Sequence, residues 1–202
     1  MIKHALVDYC APTLAGIKTG NVFSVRNGLT DIDEEIRRLN GILVDKGLRL
    51  VPIRKNKKST LIYLYRPDRL KEDLNNPDAA QILEEKGYPC GNPDCCLVEL
   101  VKHLKSDESF PHEIGLFLGY PPSDVKCFME DPCKGVKCVG CWKAYSNERE
   151  AKKTFERYHH CTEIYIKENN KGKPLEALIV DTRSAVRVAI NNNHPERRII
   201  NE

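Results

Sequence analysis

The chain has no large excess of either charge. Its 32 Lys and Arg stand against 29 Asp and Glu, a net charge of +3 over 202 residues. No basic cluster is interleaved with aromatic platforms, so nucleic acid is not the expected partner. No run approaches the ~20 consecutive apolar residues that a membrane span requires. Met1-Ile2-Lys3-His4 leads directly into Ala5-Leu6-Val7-Asp8, too short and too charged an opening for an export signal. The familiar catalytic signatures are also missing: there is no G-x-G-x-x-G, no Walker loop, no H-E-x-x-H and no G-x-S-x-G. These absences leave a cytoplasmic protein acting on an unknown small molecule or protein, with no nucleic acid and no membrane. Its 41% hydrophobic and 30% charged residues are ordinary for that class.

Cysteine is the residue present in excess. There are nine: Cys10, Cys90, Cys95, Cys96, Cys127, Cys133, Cys138, Cys141 and Cys161. An odd number without an export signal argues against a disulfide scaffold. The remaining uses are metal ligation, redox chemistry, a nucleophile, or small buried side chains in a reducing cell, most easily one living where oxygen is scarce.

Taken in order, Ala5, Val7 and Tyr9 alternate as in a first strand, and Cys10-Ala11-Pro12 reads as the turn into a helix on which Leu14, Ile17 and Lys18 share a face. That reading places Cys10 just before a helix N-terminus, where free N–H groups and the helix dipole favour a thiolate. Thr30–Lys46 is the clearest amphipathic helix, with Ile32, Ile36, Leu39 and Leu43 along one side, Thr30 as its cap and Gly47 as its stop. Leu48–Arg54 and Thr60–Arg66 form a hairpin, and Leu61–Tyr65, apolar on both faces, is its central strand. Helices then follow over Asp68–Leu74, Ala79–Lys86 and Pro93–Lys105, with another begun by Pro122 and one capped by Asn147. The fold class expected is α+β: a small, mostly antiparallel sheet with a larger helical part, in one domain over 1–180 and a loose tail over 181–202.

The stretch Ser109–Pro121 reads as a short buried helix opened by Pro111, with Ile114, Phe117 and Leu118 on one stripe and Gly119 as a left-handed stop. His112 and Glu113 stand at its start. They suit a site in which Cys10 is a thiolate or nucleophile, His112 its base or ion-pair partner, and Glu113 the group that orients the ring. Acyl or thiol transfer and hydrolysis are all within the chemistry of such a site. The plainer reading is that His112 packs or caps the helix and Glu113 answers its dipole. The alternative function is a non-enzymatic metal-binding module. Cys90-x4-Cys95-Cys96 and Cys133-x4-Cys138-x2-Cys141 supply thiols for zinc or an iron–sulfur cluster, with Cys90, Cys95, Cys138 and Cys141 as the expected ligands.

Cys10–Gly16, Phe110–Pro121, Trp142-Lys143-Ala144-Tyr145 and the closing helix with Cys161 together resemble the domain-of-unknown-function family numbered thirty-seven ninety-three, soluble proteins mostly of anaerobic bacteria. The likeness covers about residues 5 to 180. It implies no activity, because the family has none established. It favours Cys10, His112, Glu113 and the additional thiol Cys161 over the clustered cysteines, which the resemblance does not include among general family features.

Overall fold

The computed structural model describes residues 2–28, 31–89, 91–106 and 110–182. The expected tail beyond 182, the Thr30 cap and Cys90 lie outside the described residues.

The chain opens with a helix, not a strand. Helix α1 (Ile2–Leu14) buries Ile2, Leu6, Cys10 and Leu14 at four-residue spacing, with Val7 and Ala11 beside them. The alternation of Ala5, Val7 and Tyr9 is accidental: Tyr9 is 60% exposed. Pro12 falls in the last turn, so the hydrogen bond it removes lies near the helix end. The first strand follows instead as β1 (Gly20–Arg26).

Helix α2 (Ile32–Leu43) buries the expected Ile32, Ile36, Leu39 and Leu43. Its cap is Asp31, whose side chain accepts from the Asp33 and Glu34 amides. A 3-10 turn and Gly47, at φ 76°, end it. Strands β2 (Arg49–Lys55) and β3 (Ser59–Tyr65) are the expected hairpin. The sheet is antiparallel throughout, in the order β1-β3-β2, which makes β3 the central strand as its composition requires.

Because β3 is apolar on both faces, the sheet is clad on both sides. Ile62 and Leu64 face a core shared with α1, α2 and the short α9 (Leu175–Leu178). Tyr63 and Tyr65 face a second core, built from α3 (Pro67–Leu74), α4 (Pro77–Glu85), α5 (Pro93–Lys105), α6 (Ile114–Phe117) and α7 (Pro122–Glu130). A small hairpin, β4 (Cys138–Val139) with β5 (Lys143–Ala144), leads into the long α8 (Glu148–Asn170), which packs along α1. The α+β architecture is thus as expected, with its first strand displaced by some fifteen residues.

Arg66, at the end of β3, ties the first core together. Its side chain is 1% exposed. Nε donates to the Thr13 carbonyl (2.8 Å) and Nη2 to those of Leu14 and Val180 (2.8 Å each), while Nη1 reaches Thr182 Oγ1 (3.0 Å) and the Lys46 carbonyl (3.4 Å). The guanidinium therefore closes the C-terminus of α1, where carbonyls lack intrahelical partners, and pins the segment after α9 to it.

Candidate functional site

The second core positions the site. The Tyr63 hydroxyl donates to the Phe117 carbonyl, fixing α6 on the sheet. The helix is only four residues long, because Gly119 takes φ 74° just past its C-cap, Leu118. A side chain at Gly119 would meet Thr19 Oγ1 at 2.7 Å, so strain and crowding both demand glycine there. Gly115 gives Val125 the same closeness, which seats α6 against α7.

His112 lies in the turn before α6 and is exposed, while Glu113 is buried. Their side chains do not form the expected pair. Glu113 Oε1 instead accepts from the Tyr88 hydroxyl at 2.9 Å and lies 3.2 Å from His103 Nδ1. The other ring nitrogen of His103 is 3.7 Å from Glu99. The Tyr88 ring also meets His103 edge-on. Burial, reinforced by the charge of Glu113, pushes the Tyr88 hydroxyl far above its ordinary range, so it stays a donor to that carboxylate.

Two concavities share Phe110 and His112 in their walls. One, of about 220 Å³, is lined by aromatic and apolar groups, including Phe110, Tyr120, Phe128 and Trp142. His112 stands edge-on to Phe128 at its rim, 5.0 Å between ring centres. The other, of about 380 Å³, is polar, with Lys86, His103, Ser106, His112 and Glu113 around it.

Asp124 holds the wall of the aromatic cavity. Oδ2 accepts from Trp142 Nε1 (2.8 Å), and Oδ1 accepts from the Tyr145 amide (3.0 Å), the Ser146 amide (2.9 Å) and the Ser146 hydroxyl (2.7 Å). Burial alone raises this carboxyl, but the donors together outweigh it and hold the group below its ordinary range. Trp142 stacks on Tyr120 and meets Phe155 edge-on. Gly140 leaves the room for Phe155, since a Cβ there would lie 2.2 Å from its ring.

The expected Cys10–His112 site is not formed. Cys10 lies in the third turn of α1 rather than before a helix, so the dipole argument for its thiolate lapses. Its sulfur is wholly enclosed by the first core, and burial pushes the thiol far above its usual value despite the nearby charge of Lys18. His112 belongs to the opposite side of the sheet. Cys161 is partly buried on α8, and burial raises its thiol too.

The eight cysteines among the described residues are unbridged. Cys95 is exposed on α5, whereas Cys138 lies in β4 and Cys141 in the loop that joins β4 to β5, beside α8. Among the described residues, no three His, Cys, Asp or Glu side chains are grouped to hold an ion. No helix among them is long and apolar enough to cross a membrane.

Two residues of the site carry no motif. His103 and Tyr88 reach Glu113 from α5 and from the loop before it, and only the fold brings them there. Lys18 is a third residue whose role the sequence did not show directly. It is 4% exposed, with Nζ over the rings of Tyr120 (5.3 Å) and Tyr158 (5.9 Å).

Together these features define an α+β protein with a small sheet clad on both faces and a pocketed helical half. The chain belongs to the family described as "Protein of unknown function (DUF3793)", whose model matches residues 6–179. No curated protein and no solved structure matches it.

Proposed function

We propose that the chain binds a small acid with an aromatic or branched apolar body, the body in the aromatic cavity and the carboxylate in the polar one. The sharing of His112 and Phe110 by the two concavities carries this reading, since a ligand that reaches past that ring would contact both. Such sites are apolar concavities with a few convergent polar groups. Lys86, His103 and His112 supply the donors around the polar half. The Glu113 carboxylate below them is already engaged by Tyr88 and His103, which lessens its repulsion of an anion. The Glu113–His103 contact also gives the site a carboxylate-oriented imidazole, an arrangement suited to moving a proton to or from the bound acid. Thiol chemistry at Cys10 forms no part of this reading, because the sulfur has no opening toward the ligand. An odd count of nine cysteines suits a reducing compartment better than a disulfide scaffold, and we place the chain in the cytoplasm.

Titration with benzoate, benzylamine and benzyl alcohol, followed by ¹H–¹⁵N spectra, tests the proposal. The chain has one tryptophan, so its indole N–H is a single assigned reporter on the cavity wall. Benzoate should shift that signal and bind best of the three. His112→Ala should weaken it about tenfold, roughly 1.4 kcal/mol. Equal or tighter binding of benzylamine, or a tryptophan signal indifferent to all three, sinks it.

A further inference from the structure

Lys18 is outside the acid-binding reading, and its surroundings are unlike those of any surface lysine. Its position follows from the end of α1. The chain turns at Gly16, the Lys18 amide donates to the Pro12 carbonyl, and β1 then begins at Gly20. The side chain is thereby carried into the seam between α1, α8 and the turn after α6.

Buried ammonium groups are ordinarily paired with carboxylates. Lys18 has no hydrogen-bond or ion-pair partner among the described residues. Its compensation is the faces of Tyr120 and Tyr158. The hydroxyls of those rings are directed elsewhere, Tyr120 to the Cys141 carbonyl (3.0 Å) and Tyr158 to that of Ile17 (3.5 Å). Among the described residues no sealed side-chain nitrogen or oxygen lacks a partner. Nζ, which has none, is therefore not fully sealed from solvent.

The groups facing it are few. The Cys10 thiol lies on α1 and the Cys141 thiol in the hairpin loop, and both act on its charge. From α8, Arg157 stands over the same Tyr158 ring at 5.6 Å, and from α3 Asp73 is taken up by Thr19. Burial lowers the amine to about 8, with the two thiols pulling weakly the other way. At pH 7 about one molecule in ten then carries a neutral amine, against about one in 3,000 for an ordinary lysine.

We infer that Lys18 is a covalent docking point for a small aldehyde or ketone, the chemistry that an unpaired amine in an aromatic cleft is suited to perform. In the reaction the amine lone pair forms a C–N bond to the carbonyl carbon, giving a carbinolamine. Loss of water follows: the carbonyl oxygen leaves with the two protons originally on the neutral amine, and a C=N bond remains. No oxidant or reductant is consumed. The faces of Tyr120 and Tyr158 limit, without closing, the access of the water that hydrolyses the imine. Tyr120 also lines the acid-binding cavity, so the two sites share one ring but not one ligand group.

The test is reductive trapping on the full chain. Native protein is treated with propionaldehyde and cyanoborohydride at pH 7, then digested with chymotrypsin and mapped by mass spectrometry. Lys18 should acquire the first propyl group, at least tenfold faster than the median lysine, with a rate that rises to half-maximum near pH 8. Lys18→Arg should remove that adduct and leave the pattern on the other lysines intact. An advantage of less than tenfold, or modification only after unfolding, overturns the inference. If the variant does not fold, the map of the unaltered chain decides alone.

Discussion

Replacing Arg66 by lysine tests the device that closes the first core. The change keeps the positive charge and most of the apolar stem but loses the planar fork. In the native chain that fork serves Thr13, Leu14 and Val180 by bonds of 2.8 Å, with Thr182 at 3.0 Å. A lysine presents three donors from one atom. It can reach the Leu14 and Val180 carbonyls together, but not also Thr13 and Thr182. At least two charge-assisted bonds are lost, each worth about 1.5–3 kcal/mol, and the Thr13 carbonyl is left buried without its donor. Burial and the neighbouring Arg69 already oppose the charge of the guanidinium, lowering it to about 10, and a lysine inherits both penalties. The expected net cost is about 3–4 kcal/mol, a large share of the ~5–15 kcal/mol that holds a domain folded. Urea unfolding followed by far-UV circular dichroism reads it. With a slope of about 2 kcal/mol per molar, the midpoint should fall by about 1.5–2 M with the slope unchanged. Arg66→Met completes the comparison, since it removes the charge and every donor while filling the volume. Should Arg66→Lys cost under about 1 kcal/mol, or Arg66→Met prove more stable than the native chain, the guanidinium is not the clasp described.

Three further outcomes follow from the same geometry. Asp124→Asn sets an amide donor against either the Trp142 indole or the Tyr145 and Ser146 amides, whichever way it turns; it should cost about 2–4 kcal/mol and shift tryptophan emission to the red. Because Asp124 is held below its ordinary value, its stabilisation is complete above about pH 4 and is lost as pH falls through the folded value; an acid transition at Trp142 should therefore vanish in the variant. Gly140→Ala should drive Phe155 off its place against Trp142 and cost about 1–3 kcal/mol by overpacking, measured by thermal unfolding. Iodoacetamide should label the exposed Cys95 and Cys133 within minutes at pH 8 and leave Cys10 unlabelled until the chain unfolds. Prompt labelling of Cys10 would restore the thiol site that its burial excludes.

Where local pattern and global packing agree, the fold was legible. The α2 helix, the hairpin and its doubly apolar β3, the α5 boundaries and the Asn147 cap all rest on signals confined to one element. The misreading at the start of the chain shows how such signals compete. Ala5-Leu6-Val7-Asp8-Tyr9 satisfies a two-residue period over five positions, but Ile2, Leu6, Cys10 and Leu14 satisfy a helical one over thirteen. The longer match is the informative one. It was obscured because Pro12 reads as a helix opener, although proline is tolerated near a helix end as well. Placing a strand there also displaced Cys10 from a core position to a reactive one, so the choice of period carried over into the chemistry expected of Cys10.

The site was legible only in part, for a different reason. His112 and Glu113 are adjacent in sequence, and adjacency suggested a pair; yet consecutive side chains on a turn diverge, so one enters the core while the other stays outside. Buried, Glu113 needs partners with donors, and these come from residues 10 and 25 positions earlier, distances at which no spacing rule operates. Lys18 had a signal available, since a charged residue sharing a face with Leu14 and Ile17 must either snorkel or be enclosed. Which of the two occurs depends on whether aromatic rings arrive to cover it. Here Tyr120 and Tyr158 do, from segments a hundred residues and more away, and what reads as a solvated end to an apolar stripe is instead an amine held in an aromatic cleft.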